Sequence, residues 1–174
     1  MRTVILGARP PAVEALIELR HTTGADLYDE VWEGEYHMAP APTGRHGRVD
    51  SEIAAALHPL AKRVGLFPTG PFNLGTANNY RVPDRGLRRD ERDGAWIATA
   101  PLVVEIVSPG DESWEKLPFY SSHRVDEVLI ADPATRELTW LRLDEGEYRP
   151  VDHSLLLGVD VADIAAPIDW PPTD

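Results

Sequence analysis

Cysteine is absent from the 174 residues, which excludes disulfides, thiolate nucleophiles and cysteine-ligated zinc. Basic residues are scarce: 17 Lys and Arg stand against 29 Asp and Glu, a formal charge of -12. That sign is wrong for a chain that holds a polyanion by its surface charge alone. Carboxylates kept together must therefore be neutralised locally, by a cation or by basic residues segregated onto one face. Long apolar runs are also missing. The early stretch Val4, Ile5, Leu6 is far too short for a signal peptide or a membrane span, so a soluble, cytoplasmic protein with no membrane partner is expected. There is no Gly-x-Ser-x-Gly elbow for acyl transfer, no phosphate loop, no dinucleotide fingerprint and no zinc helix motif. Carboxylate pairs alone are too common to indicate a glycoside hydrolase.

The chain has no internal repeat and no linker, and its length predicts one domain over residues 1–174. Its core covers about residues 10–151, with 152–174 as a packing tail. Pro10 and Pro11 followed by Val13, Leu16, Ile17 and Arg20 predict a short amphipathic helix. Tyr28 to Ala39 alternates around Glu33 and Gly34, the pattern of a hairpin. From Gly44 to Val64 apolar residues recur at Val49, Ile53, Leu57, Leu60, Ala61 and Val64, which calls for a long helix with one buried stripe, bent near Leu57 by Pro59. Strands are expected at Leu66 to Pro68, Phe72 to Leu74, Tyr80 to Val82 and Leu102 to Val107. Arg81, Arg85, Arg88, Arg89 and Arg92, interspersed with Asp84, Asp90 and Glu91, read as a mixed-charge solvated loop or as a basic face. Ser108 to Asp111 is a turn, and Glu112 to His123 a helix containing Pro118. A strand at Glu127 to Ala131 and a hairpin of Glu137 to Leu143 with Tyr148 to Val151 follow. Pro171 to Asp174 should fray. The order of elements predicts an α/β (α+β) fold, a sheet sandwiched by helices.

Glu105 stands in the run Leu102, Val103, Val104, Glu105, Ile106, Val107. A strand of that composition is buried on both faces, and a carboxylate within it needs a partner or it titrates to neutrality. A second carboxylate, a lysine and a divalent cation together supply one. Magnesium or manganese takes oxygen ligands, usually one or two carboxylates plus waters and substrate phosphate. Asp84, after Pro83, and Glu105 are candidate metal ligands, with the backbone carbonyl of Ile106 as a third. Lys116, one helical turn before Tyr120, can orient or deprotonate a water and offset charge on a phosphate. Each residue also has a bland reading: Asp84 as a turn residue, Glu105 in an edge-strand salt bridge, Lys116 as a solvated helix residue.

The ordered series Tyr28, Glu30, Gly34, Glu35, Met38, Pro40, His46, then Val82, Pro83, Asp84, then Leu102 through Pro109, then Lys116, Tyr120, Val125, Glu127, Ala131, Asp132 and Pro133 resembles the Uma-two family of predicted restriction endonucleases. The resemblance implies a restriction-endonuclease-like mixed central sheet of the PD-(D/E)XK nuclease superfamily, flanked by helices, here with an extra N-terminal and an extra C-terminal hairpin. It implies a magnesium- or manganese-dependent nuclease acting on nucleic acid, with DNA as the substrate the family description suggests. Asp84 and Glu105 match the two metal carboxylates. The superfamily's usual lysine, two positions after the Glu, is Val107 here, and the family's lysine in the next helix is matched by Lys116. Glu35, His46 and Tyr120 are second-tier candidates. Arg85 and Gly86, where the family runs apolar, predict an early end to the strand at Asp84, and Pro118 predicts a displaced Lys116. Those departures and the negative charge favour the alternative, a catalytically degenerate member acting as a binding or assembly module. A symmetric homodimer would suit a duplex substrate, with the C-terminal hairpin and Trp140 as one interface; a core position is the other reading of Trp140.

Overall fold

The computed structural model describes residues 3–5, 9–91, 94–110 and 112–172. Leu6, Arg92, Asp111, Thr173 and Asp174, on which parts of the foregoing reading fall, lie outside the described residues. The elements run β1 (Thr3–Ile5), α1 (Pro11–Thr23), β2 (Glu30–Trp32), β3 (Glu35–Met38), α2 (Gly44–Arg63), β4 (Phe67–Thr69), β5 (Leu74–Thr76), β6 (Asn79–Arg81), β7 (Arg85–Arg88) and β8 (Leu102–Ile106). A 3-10 turn (Trp114–Lys116) then leads into α3 (Leu117–Ser122), β9 (Glu127–Asp132), β10 (Glu137–Asp144), β11 (Glu147–Pro150), β12 (His153–Ser154), β13 (Val159–Asp160) and α4 (Val161–Ala165).

The central sheet has six strands in the order β11-β10-β9-β8-β7-β4. It is mixed, because β8 and β9 pair in parallel, Leu102 opposite Glu127 through Ile106 opposite Ala131, while the other neighbours are antiparallel. A parallel pair needs a crossover, which the 3-10 turn and α3 supply. Alternation along β8 then assigns its side chains to two faces. Leu102, Val104 and Ile106 join Leu129, Ala131 and Trp140 in one cluster with Val49, Ile53, Leu57 and Ala61 of α2. Val103 joins Val128, Ile130, Phe119 and Tyr120 in the other. Each fully buried Leu or Ile contributes about 1.5–3 kcal/mol. Glu105 is in phase with Val103, so it projects toward α3. The stripe of α2 follows the predicted spacing, the helix is capped by Thr43, whose hydroxyl accepts from the His46 N–H at 3.3 Å, and it continues through Pro59.

The N-terminal hairpin, β2 with β3, is part of a larger unit. A second, antiparallel sheet has five strands in the order β1-β3-β2-β6-β5. Its last strand in sequence, β6, is joined to β7 of the central sheet by Val82, Pro83 and Asp84 alone. Those three residues form the seam, the shortest covalent link between the two sheets, which the chain also joins through α2, from β3 to β4, and through residues 70–73, from β4 to β5.

Two expectations are corrected, and of the two readings of Trp140 one holds. Arg85 to Arg88 is a strand of the central sheet and not a charged loop, and the chain does not leave the sheet after Asp84. Gly86 is the reason: a Cβ there would lie 2.6 Å from the Phe72 ring and 2.8 Å from the Leu102 carbonyl oxygen, so only glycine lets that ring cover the strand. The Arg85 guanidinium is satisfied by Asp50, at 2.7 and 2.6 Å. Pro118 does not interrupt a helix, since it stands in the first turn of α3, where no N–H is required. Trp140 is in the core, 1% exposed, and not at an interface.

The C-terminal tail folds into the β12–β13 hairpin and α4 and is fastened by one carboxylate. Glu127, 2% exposed, accepts hydrogen bonds from Trp140 Nε1 at 2.7 Å, Ser154 Oγ at 2.6 Å and the N–H groups of Leu155 and Leu156 at 3.1 and 3.3 Å. Among the described residues no helix is long and apolar enough to cross a membrane. Replacing Glu127 by Ala strands several buried donors at once, and is expected to lower stability by about 3 kcal/mol. In urea denaturation the midpoint should fall with the slope unchanged.

Candidate active site

Carboxylates from both sheets meet at the seam. Glu105 enters from β8 and Glu30 from β2, and both are almost fully buried, at 2% and 1% exposed. Lys116, the last residue of the 3-10 turn, reaches between them. Its Nζ donates to Glu105 Oε1 and Oε2 at 3.0 Å each and lies 2.9 Å from Glu30 Oε1. Tyr120, one turn further along α3, donates its hydroxyl to Glu105 Oε1. Glu30 is completed by the Val82 N–H on Oε1 at 2.9 Å and by Trp32 Nε1 on Oε2 at 2.6 Å.

Asp84, on the seam itself, is more open. Its Oδ2 accepts the Ile106 N–H at 2.8 Å, so the backbone next to Glu105 fixes its position. Its Oδ1 faces His46 Nε2 at 3.0 Å, and the other ring nitrogen of His46 lies 3.3 Å from Ser108 Oγ. His46 is set by the first turn of α2, directly after the Thr43 cap. Asp84, Glu105, Ile106, Lys116, His46 and Glu30 all line one cavity of about 330 Å³, whose other walls are Tyr28, the segment from Ala39 to Pro42, and the loop carrying Ser108, Pro109, Gly110 and Glu112.

Burial is the largest influence on Glu105 and pushes its carboxyl well above the usual carboxylate range; Lys116 opposes this, while Asp84 and Glu30 add to it. Burial also works against the charge on Lys116, but Glu105, Glu30 and Asp84 together outweigh it and hold the ammonium above its ordinary value. Lys116 therefore stays protonated. Its role is to supply positive charge and hydrogen bonds, not to accept a proton. His46 follows the same logic: burial lowers its affinity for a proton, and Asp84 more than restores it.

The site thus brings together Asp84, Glu105, Ile106, Lys116, His46 and Tyr120. Glu35 stands apart, exposed at the turn end of the β2–β3 hairpin, where it pairs across with Trp32. Glu30 is the residue that sequence reasoning missed as a site group. Its signal was the alternation of β2, which puts Glu30 on the same side as Trp32.

A solved structure of the same architecture is the crystal structure of "a putative nuclease belonging to DUF820" from Anabaena variabilis, with a TM-score of 0.66 at 16% identity, covering 80% of this chain and 90% of that one. No curated protein matches the chain. The Uma2 family model, described as "Putative restriction endonuclease", matches residues 9–166. The chain belongs to the Uma2 family. For this Uma2 chain the nuclease-like fold comes with the seam described above, where residues of β2, β8 and the 3-10 turn share one buried ion cluster.

Removing the cation from that cluster leaves two buried carboxylates facing each other. Lys116→Met is expected to cost about 3–5 kcal/mol, as breaking a buried pair from one side does. Adding Glu105→Gln and Glu30→Gln to the same variant should recover most of that loss, which chemical denaturation of the wild-type protein and the two variants measures.

Proposed function

We propose that this Uma2 chain is a divalent-metal-dependent nuclease that hydrolyses phosphodiester bonds of nucleic acid, with Asp84 and Glu105 holding the ion. The observation that carries the reading is the shared cavity: Asp84 and Glu105 line the same space, with Lys116 fixed beside them.

The donor set suits magnesium or manganese. Among the described residues no group of three or more His, Asp or Glu is arranged to hold a metal ion, and these ions ask for only one or two carboxylates, the rest of the shell coming from water and substrate phosphate. Glu30, Asp84, Glu105 and Glu112 face a cavity whose sole Lys or Arg among the described residues is Lys116. That surplus of negative charge favours a cation. The ion would supply Lewis-acid charge at the phosphate. Asp84 would hold it from a position fixed by the Ile106 N–H, and Glu105 from β8, with the Ile106 carbonyl as the backbone donor. Lys116 stays cationic and donates toward the charge that builds on the phosphate. Glu30 would keep Lys116 in place with Glu105 serving the ion, because it grips the ammonium independently at 2.9 Å. Tyr120 positions Glu105 by its hydroxyl.

One observation favours a second reading, a degenerate member acting as a binding or assembly module. The oxygens of Glu105 are engaged by Lys116 and Tyr120, and those of Asp84 by His46 and the Ile106 N–H. Manganese titration calorimetry separates the two. The nuclease reading expects binding in the micromolar to low millimolar range that weakens at least about tenfold in Glu105→Gln, a loss of about 1.4 kcal/mol. A wild-type protein that takes up no manganese, even with oligonucleotide present, leaves the module reading.

A further inference from the structure

We infer that the site takes an unpaired nucleic-acid strand, one base of which stacks on the ring of Tyr28. This rests on the nuclease reading above and names its substrate class. A second cavity of about 280 Å³ shares Tyr28, Pro42, Thr43, His46 and Asp84 with the first and continues to Asp50 and Pro71. The two adjoin, so the path across the site passes over Asp84 with Tyr28 beside it on both sides. Tyr28 is half-buried and is the sole Phe, Tyr or Trp lining either cavity among the described residues. Tyr28 thus borders both cavities.

That border is held rigidly. The neighbouring Asp29 is 1% exposed. It accepts Arg20 Nε and a terminal Arg20 nitrogen at 2.7 and 2.6 Å, the Tyr36 hydroxyl at 2.9 Å and the Ala39 N–H at 2.8 Å. One carboxylate thus ties the Tyr28 segment to the start of the segment from Ala39 to Pro42, which lines the same cavity. A preformed cleft with an aromatic residue in its lining suits a flat base and loses little ordering entropy on binding.

Charge separates an unpaired strand from a duplex. A duplex is held through its phosphates by several Lys and Arg. Among the described residues Lys116 is the sole Lys or Arg lining either cavity. One cation does not hold the phosphates of a duplex, so affinity within the site is drawn from the bases, and bases offer their faces to an aromatic ring when they are unpaired.

The test is fluorescence anisotropy with a short labelled oligonucleotide as single-stranded DNA, single-stranded RNA and duplex DNA of one sequence. Calcium, another cation with oxygen ligands, replaces magnesium to hold back cleavage. At least one single strand should bind about tenfold or more tightly than the duplex, and the better of the two identifies the sugar. Tyr28→Ala should lose about tenfold in single-strand affinity, while Tyr28→Phe, which keeps the ring, should retain it. Manganese calorimetry on all three proteins checks that the site is folded and should give the same affinity in each. Equal or tighter duplex binding, or an unchanged Tyr28→Ala, with manganese binding intact, overturns this inference and leaves the nuclease reading standing. Failure of the wild-type protein to bind manganese overturns both.

Discussion

The ammonium of Lys116 between Glu105 and Glu30 joins the two sheets beside the three-residue link from β6 to β7. Burying one cation and two anions is costly, and a buried ion pair is weak grounds for stability in itself. What it gives here is position. Nearly every lone pair is used: Tyr120 and Lys116 on Glu105, Trp32, Val82 and Lys116 on Glu30. A network satisfied to that degree has one arrangement, since a shift of either sheet would leave a buried charge unpaired.

A second tie crosses the same seam without a carboxylate. The Arg81 guanidinium lies between the rings of Trp32 and Phe119, 4.1 Å from each centroid. His37 also stacks on Trp32 at 4.6 Å and His123 on Phe119 at 4.0 Å. Desolvated cation–π contacts are worth about 2 kcal/mol each. Burial lowers the Arg81 pKa against the pull of Glu30 and Glu33, and its Nε has no hydrogen-bond partner. The rings replace the missing polar contact with their faces. Because Trp32 also donates to Glu30 and Phe119 adjoins Tyr120 in sequence, the stack reinforces the ion cluster from below.

Much of this was legible in the sequence because the physical cause was local. A Glu in an apolar five-residue strand had to find a partner, and α2 announced its buried face by spacing alone. The parts that were not legible have nonlocal causes. Glu30 sits in a hairpin segment with Asp29, Glu33 and Glu35, and the alternation of β2 assigns it a side without saying what partner waits there. The answer depends on a lysine far along the chain and on the seam that brings it close. Strand β7 was hidden by its own composition, since arginine and glycine read as loop; only the Phe72 ring over Gly86 and the Asp50 carboxylate beside Arg85 make the segment a strand. Pro118 looked like a helix breaker because the helix was expected to start too early.

The two-sheet seam has a consequence for how the molecule is made. Glu30, Asp84, Glu105 and Lys116 come from separate stretches of sequence, and β8 meets β9 only after the crossover through α3 has formed. Contacts of such range close late, because each requires a loop to be ordered first. Until both sheets are in place, the carboxylates remain hydrated and scattered, and no cavity gathers them. The buried cluster and its cavity therefore exist only in the completed fold, and no partly made chain presents them.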